Sequence, residues 1–313
     1  MSLIVQKFGG SSVADAGRLL QSAALIRDAF GAGEDVVAVV SAQGDATDHL
    51  LQKARELTPD PPPRELDALL VSGEQASAAL TAMALMSLGV PAVSLNAWQT
   101  PIESEGVHGD ARIASIGTER IRDALAQRRV AVVTGFQAID ALGDAATLGR
   151  GGSDYSAVAL AAALDAARCV IYTDVDGVYT ADPRLCPTAR RLPRVSYDDM
   201  YALSHAGAQV LHDKCVALAR ERGVEPEVRA CRRGSKGTRV CAECEKSAVV
   251  GVTLHDAVVT VVGEPSERRA REALEAAGIA VLGTEAGKRT LSYRVPAEKS
   301  REALCVVHDA VIE

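Results

Sequence analysis

Two stretches of the chain decide its fold, Thr147-Leu-Gly-Arg-Gly-Gly-Ser-Asp154 and Tyr172-Thr-Asp-Val-Asp-Gly-Val-Tyr-Thr-Ala-Asp-Pro-Arg184. The first is a glycine-rich loop that leads into a predicted helix over 153–163. Such a loop presents backbone N–H groups and the positive end of a helix to an anion. The second follows a short apolar strand, 169–172, and α/β sheets bind their ligands where strands end. Two such loops predict a phosphate site beside a second site for a small acid.

The segments before these loops alternate between strand and helix. Residues 2–7 and 35–41 are apolar and strand-like, and 13–30 between them has the period of an amphipathic helix. Residues 64–88 are also helical by period, with a predicted interruption at Ser72-Gly73. Repeated β-α-β units with apolar strands predict an α/β fold, in which helices cover both faces of a mainly parallel central sheet.

The character of the sequence changes near Cys231, where polar, aperiodic segments begin. We therefore predict a catalytic domain over 1–240 and a second domain over 249–313. The second is a small α+β unit of about 65 residues, a size at which a domain benefits from a partner surface. Its predicted strands are 257–262, 280–283 and 289–295, and its predicted helices are 266–277 and 299–308.

Composition limits the classes of function. The 313 residues are 48% hydrophobic and carry a formal net charge of −7, with no Lys/Arg-rich run. We therefore expect no nucleic-acid partner. No apolar run is long enough to predict a membrane span, so we expect no membrane partner either. Seven cysteines without an export pattern predict free thiols and a cytoplasmic location.

The cysteines near the predicted linker raise the question of a metal. Cys241-x-x-Cys244, with Cys231 nearby and His255 as a fourth ligand, has the residue types of a zinc site. The alternative is that these are ordinary linker cysteines. We favour the second interpretation and predict no side chain that binds a metal ion.

Five motifs carry a resemblance to a known family. They are the two loops quoted above, Val5-Gln-Lys-Phe-Gly-Gly-Ser-Ser-Val13, Val71-Ser-Gly-Glu-Gln75 and Gly135-Phe-Gln137. In order and spacing they resemble the aspartate kinases of the amino-acid kinase superfamily, over residues 3–240. The resemblance implies an amino-acid-kinase-like three-layer sandwich. It also implies phosphoryl transfer from ATP, with Mg²⁺, to the side-chain carboxylate of L-aspartate, giving the acyl phosphate 4-phospho-L-aspartate. The tail resembles one ACT domain, whereas family members usually carry two.

The resemblance also implies roles for individual residues. Lys7 and Asp154 are the catalytic pair: Lys7 neutralises charge on the transferred phosphoryl group, and Asp154 orients Lys7, because an ionised carboxylate nucleophile needs no base. The implied amino-acid site consists of Ser41, Thr47, Glu74, Arg150 and Ser153, in which Arg150 grips the α-carboxylate and Glu74 the ammonium. The implied nucleotide site consists of Lys7, Gly9, Gly10, Ser11, Thr173, Asp174, Tyr179, Arg184 and Gln209.

Three positions depart from the family pattern. Gln209 stands where a lysine is usual, and Ala138 and Ala146 replace the usual Gly and Thr. Two alternatives therefore stay open: the same chemistry on another amino acid or small carboxylate, and a weakly active, amino-acid-binding regulatory subunit. From the single ACT-like unit we expect a homodimer formed through that unit, with weak feedback by end products.

Overall fold

The computed structural model describes residues 2–208, 210–242, 244, 248–264 and 266–312. In chain order, its strands and helices are β1 (Leu3–Phe8), α1 (Ala16–Gly31), β2 (Asp35–Val40), α2 (Ala46–Leu57), α3 (Pro63–Ser87), β3 (Ala92–Leu95), β4 (Ile102–Glu105), β5 (Arg112–Ile116), α4 (Glu119–Ala126), β6 (Val130–Thr134), β7 (Gln137–Ile139), β8 (Ala145–Thr147), α5 (Gly152–Ala163), β9 (Arg168–Thr173), β10 (Arg194–Ser196), α6 (Tyr197–His205), α7 (Asp213–Arg222), β11 (Pro226–Ala230), β12 (Thr238–Cys241), β13 (Val249–His255), β14 (Val258–Gly263), α8 (Glu267–Ala276), β15 (Gly283–Ala286), β16 (Thr290–Arg294) and α9 (Ser300–Val311).

The central sheet has the strand order β10-β12-β11-β9-β1-β2-β6-β3. Its pairings are parallel except for β11 with β12. Side chains alternate between faces, so Ile4 packs in the core cluster on one side of β1 and Val5 in the cluster on the other. Both faces are therefore apolar and covered, which confirms the predicted fold class.

The register of the central strands brings their ends to one edge. Phe8 pairs with Val40 of β2 on one side and with Tyr172 of β9 on the other. The loops that follow β1, β2 and β9 therefore begin side by side at the carboxyl edge of the sheet. This is the edge at which parallel α/β sheets bind ligands.

The helix α3 differs from its prediction, because it runs without the interruption expected at Ser72-Gly73. A Cβ atom at position 73 would lie 2.9 Å from the Cβ of Ala42. The glycine therefore permits close packing of α3 on the loop after β2. By length and composition α3 could also cross a membrane, which the sequence analysis did not anticipate, and half of its most apolar window is buried inside the fold.

A second, antiparallel sheet lies near the end of the chain, with the order β13-β14-β16-β15. The strand β13 was not predicted, and β15 begins three residues later than the strand predicted over 280–283. In β13, the backbone N–H of Val252 donates to the carbonyl of Thr180 at 2.7 Å, and a Cβ at Gly251 would lie 3.0 Å from that oxygen. Contact with this distant loop stabilises a strand that the local sequence pattern did not predict.

This second unit has its own hydrophobic core. Val259, Leu274, Tyr293 and Leu304 belong to it, together with Cys186 from the loop between β9 and β10. The loop after β9 is therefore anchored in the C-terminal unit as well as in the central sheet. The domain ranges 1–240 and 249–313 stay a prediction.

Candidate active site

Lys7 and Asp154 meet at the carboxyl edge of the central sheet. Lys7 is the penultimate residue of β1, and Asp154 lies in the first turn of α5. Lys7 Nζ lies 2.6 Å from Asp154 Oδ1, and the two side chains are only 11% and 13% exposed. The ion pair holds an ammonium group beside the N-terminus of α5, where backbone N–H groups and the helix dipole favour anions.

Two glycines make the approach to this ion pair possible. Gly151, the N-cap of α5, has φ 73°, and a Cβ there would lie 2.4 Å from the Cβ of His212. At Gly10, a Cβ would lie 2.7 Å from the carbonyl oxygen of Ala42. The loops after β1 and β2 and the start of α5 therefore pack more closely than any side chain would permit.

Glu74 carries the clearest electrostatic sign of a binding site. It lies in α3, is 3% exposed, and accepts a hydrogen bond on Oε1 from the backbone N–H of Ala42 at 3.0 Å. Its Oε2 is buried and has no partner among the described residues. Desolvation by burial raises the pKa of Glu74 from its ordinary 4.5 to about 7, against the smaller opposing effect of the Ala42 hydrogen bond. A cation would satisfy this oxygen.

A cavity of about 580 Å³ contains both of these features. The predicted residues that line it are Lys7, Ser41, Thr47, Glu74, Arg150, Ser153 and Asp154. The side chain of Arg150 has no ion-pair partner in the described part of the chain, so its guanidinium remains available. Hence the predicted amino-acid site and the catalytic pair come together, although their functional roles stay predictions.

A second cavity, of about 340 Å³, lies beyond the end of β9. Asp174, Tyr179 and Arg184 line it, as do Gly207 and Ala208. Arg184 is 73% exposed and pairs with Asp182 at 2.8 Å. Gln209 itself lies outside the described residues, so its predicted contact with the nucleotide stays untested.

The remaining predicted residues line neither cavity in the described structure, and they lie between the two. Gly9 donates its backbone N–H to the carbonyl of Tyr172 at 3.4 Å, which joins the loop after β1 to the end of β9. Thr173 donates its hydroxyl to Asp174 at 3.0 Å. Gly10 and Ser11 belong to the short 3₁₀ turn after β1.

Asp67 is a residue that sequence reasoning missed. It is 1% exposed, and its carboxylate accepts hydrogen bonds from the backbone N–H groups of Gly109 and Thr147 and from the Thr147 hydroxyl, at 3.0, 2.9 and 2.6 Å. The ring of His108 also lies 3.0 Å away. Asp67 thus fixes two loops that border the first cavity. No motif surrounds Asp67, so this role could not be predicted from local sequence.

Phe136 belongs to the Gly135-Phe-Gln137 motif, but no role was predicted for it. It lines the first cavity and has φ 68°, a conformation that costs a non-glycine residue roughly 1–2 kcal/mol. Its N–H donates to the Ser156 hydroxyl at 3.2 Å, and its carbonyl accepts from Leu148 N–H at 2.9 Å. These bonds hold the strained backbone against the start of α5.

The substitutions at Ala138 and Ala146 have a structural explanation. The two residues face each other across the antiparallel strands β7 and β8 and are fully buried, at 0% and 2% exposure. Neither lines the described part of a cavity. Both residues therefore pack inside the small sheet that contains β7 and β8.

A model described as the amino acid kinase family matches residues 2–229 of the chain. The chain belongs to the amino acid kinase family. This membership accounts for the mainly parallel sheet and for the glycine-rich loops at its carboxyl edge.

Similar curated members of the family are aspartokinases. The aspartokinase of Mycolicibacterium smegmatis is 49% identical over 273 residues, which cover 85% of this chain and 65% of that protein. The aspartokinase of Bacillus sp. strain MGA3 is 42% identical over 323 residues, which cover 99% of this chain and 79% of that protein. The chain thus spans less than two thirds of the length of the first of these relatives.

Solved structures show the same fold. Aspartokinase III of E. coli, in complex with aspartate and ADP, has a TM-score of 0.85 at 19% identity, over 99% of this chain and 100% of that chain. Aspartate kinase from Synechocystis has a TM-score of 0.69 at 28% identity, over 99% of this chain and 69% of that chain. The first likeness, at its low identity, supports the fold alone.

Proposed function

We propose that the protein transfers the γ-phosphoryl group of ATP to the side-chain carboxylate of L-aspartate and forms 4-phospho-L-aspartate. The observation that carries the proposal is the buried, unpartnered Oε2 of Glu74, in one cavity with the available guanidinium of Arg150 and the Lys7–Asp154 ion pair. A carboxylate and a guanidinium in one cavity match the ammonium and α-carboxylate of an amino acid. The similarity to curated aspartokinases supports aspartate as that amino acid.

The catalytic residues then act mainly by position and charge. The side-chain carboxylate of aspartate is ionised at neutral pH, so its oxygen attacks the γ-phosphorus without a base. Lys7 stabilises the negative charge on the transferred group, and Asp154 holds the Lys7 ammonium in place. The bond between the γ-phosphorus and the bridging oxygen breaks, and ADP leaves with that oxygen.

The nucleotide extends from the first cavity to the second in this proposal. Its phosphates lie over the turn formed by Gly9, Gly10 and Ser11, and its adenosine lies beside Tyr179 and Asp174. Mg²⁺ would neutralise charge on the phosphate oxygens. The nearby carboxylate of Asp154 is already paired with Lys7, so it need not bind the ion. The ion then depends on phosphates and water for most of its ligands.

Trapping with hydroxylamine across a panel of amino acids and small carboxylates tests the proposal. An acyl phosphate reacts to a hydroxamate, so we expect an ATP-dependent hydroxamate with L-aspartate. A hydroxamate that forms only with a different acid would support a kinase of the same chemistry that acts on that acid. Aspartate binding without any hydroxamate would support a regulatory subunit.

Arg150→Lys is expected to raise KM for aspartate roughly tenfold and to leave KM for ATP nearly unchanged. Lysine retains the charge but loses the planar, two-point contact with a carboxylate. Initial rates with each substrate varied in turn provide the measurement, and Arg120→Lys, on the exposed face of α4, is the matched control. An equal rise in KM for aspartate and in KM for ATP would indicate that Arg150 contacts the phosphates instead.

We also propose a homodimer through the C-terminal sheet. All four residues of the edge strand β15 are exposed. The strand pairs with β16 along one edge, and its other edge has no partner strand in the described chain. An open edge of this kind pairs readily with another strand, and a two-fold axis uses the same edge twice.

Sedimentation velocity at micromolar concentration is expected to show a dimer that a double substitution in β15, Thr284→Lys with Ala286→Lys, converts to a monomer. Two lysine side chains on one face of this short strand would repel their copies across a two-fold edge contact. Gln52→Lys, on the exposed face of α2, is expected to remain dimeric. A monomeric unsubstituted chain would refute this assembly.

A further inference from the structure

Outside the proposed active site, one cluster of metal-ligating side chains lies where the loop between β9 and β10 meets α9. Cys186 comes from the loop, and His308 and Asp309 come from the helix. One ligand atom from each lies within 4.8 Å of the others, and no other group of three such residues is as close in the described ranges. Cys186 and His308 are buried, at 0% and 2% exposure, whereas Asp309 is exposed.

A second thiol lies next to the cluster. Cys305 Sγ lies 3.3 Å from the carbonyl oxygen of Leu185, the residue before Cys186. Cys305 and His308 are three residues apart in α9, so they project from one face of the helix. The cluster therefore offers two thiols, one imidazole and one carboxylate.

The geometry points to a common centre for these groups. The hydroxyl oxygen of Thr188 lies 3.2 Å from Cys186 Sγ, 3.3 Å from His308 Nδ1 and 2.5 Å from Asp309 Oδ1. Asp309 Oδ1 also lies 3.0 Å from His308 Nδ1, so a hydroxyl, a thiol, an imidazole and a carboxylate converge on one point. A divalent cation can take the place of the protons that these groups share.

The far side of the imidazole is arranged as in protein metal sites. His308 Nε2 lies 2.9 Å from the hydroxyl oxygen of Thr180, which also accepts a hydrogen bond from the backbone N–H of Arg190 at 2.9 Å. In the tautomer in which Nε2–H donates to Thr180, Nδ1 presents its lone pair to a cation; in the other tautomer, Nδ1–H donates to Asp309 Oδ1 at 3.0 Å. Such an outer hydrogen bond fixes the tautomer and orientation of a metal-binding histidine.

We propose that Cys186, Cys305, His308 and Asp309 bind one Zn²⁺ ion, which fastens α9 to the loop between β9 and β10. Two thiolates, an imidazole nitrogen and a carboxylate oxygen are a ligand set that Zn²⁺ accepts in tetrahedral geometry. On binding, the ion replaces the two thiol protons, which pass to solvent. Arg184 and Leu185, directly before Cys186, line the second cavity, so the ion would hold one wall of that cavity in place.

The other close pair of thiols provides a matched control. Cys241 Sγ and Cys244 Sγ lie 3.2 Å apart. Among the described residues, however, they gather no histidine or carboxylate into a group of three ligands. Cys231, which the sequence suggested as a third ligand, lies instead beside the Ser22 hydroxyl at 3.3 Å. Substitution of this pair should leave metal binding intact.

The test uses the full chain, stripped of metal with a chelator under reducing conditions and then titrated with Co²⁺ and Zn²⁺. We expect the chain to bind one equivalent of either ion. With Co²⁺, we expect the visible spectrum of a tetrahedral site and a thiolate charge-transfer band with the intensity of two thiolate ligands. Cys186→Ser and Cys305→Ser should each lower the intensity of that band to the value for one thiolate ligand. Each should also weaken Zn²⁺ binding by more than about a hundredfold. Thr180→Ala should weaken it about 10- to 100-fold through loss of the outer hydrogen bond.

The Cys241→Ser/Cys244→Ser double variant should bind one equivalent with an unchanged spectrum. The proposal fails if the unsubstituted chain binds no stoichiometric Co²⁺ or Zn²⁺, or gives an octahedral spectrum without a sulfur band. It also fails if the double variant loses the ion. The unsubstituted spectrum decides the question even where a serine variant does not fold.

Discussion

Lys7→Ala is expected to lower kcat by more than about a hundredfold, which is a loss of roughly 3 kcal/mol of transition-state stabilisation. The ammonium of Lys7 is buried and lies at the N-terminus of α5, so water cannot replace the charge it supplies. Initial rates of hydroxamate formation at saturating ATP and aspartate provide the measurement. Lys7→Met preserves the aliphatic volume of the side chain and should be equally impaired.

Controls separate this effect from a loss of folding. Removal of Lys7 leaves the carboxylate of Asp154 without its cation, so circular dichroism and thermal unfolding accompany the kinetics. Lys53→Ala, on the exposed face of α2, should retain full activity. A modest fall in kcat with a changed KM for ATP alone would mean that another cation carries the transfer. Lys214, which pairs with Asp110 near Gly149, would then be the first to examine.

Glu74→Gln is expected to raise KM for aspartate about 10- to 100-fold and to stabilise the protein at the same time. The charged hydrogen bond to an ammonium is worth about 1.5–3 kcal/mol, and the amide replaces it with a neutral group. The rise in KM should be largest above pH 7, where the glutamate of the unsubstituted protein is ionised. A KM that does not change would exclude Glu74 from the ammonium site.

The stability effect follows from the raised pKa. Between its ordinary 4.5 and about 7, Glu74 ionises in the unfolded chain but stays protonated in the folded one, so the residue destabilises the fold increasingly over this range. Above pH 7 the destabilisation by ionised Glu74 reaches its full value, which is about 3 kcal/mol at most. Glu74→Gln should therefore raise the free energy of unfolding at pH 8 and leave it nearly unchanged at pH 4. Equal stability of the two proteins at both pH values would contradict the burial of an unpaired carboxylate.

Much of the catalytic arrangement could be predicted from the sequence. Each of four site residues lies in a short motif: Lys7, Glu74, Arg150 and Asp154. The parallel pairing of β1 with β2 and β9 brings the ends of these strands together, and this does not depend on the exact bounds of the helices. Local patterns of apolar residues and glycines were sufficient to place these elements.

Other parts depend on contacts that no local pattern records. The strands β4, β5, β7 and β8 are three to five residues long and form a sheet of their own. Their stability therefore comes from one another and from contacts with α3 and α5. Asp67 acts on two loops far along the chain. Cys186 and His308 lie close together in the fold but far apart in the chain, and no spacing rule joins them.

The most direct test follows oxygen from aspartate to phosphate. The protein is given ATP, Mg²⁺ and L-aspartate with ¹⁸O in both oxygens of the side-chain carboxylate, and the product is cleaved with hydroxylamine. Hydroxylamine attacks the acyl carbon, so the released phosphate retains the bridging oxygen. Our account predicts phosphate with one ¹⁸O atom, detected by its shifted ³¹P resonance, in an amount equal to the hydroxamate. Unlabelled phosphate without hydroxamate would mean that water attacks ATP and would contradict the proposed transfer.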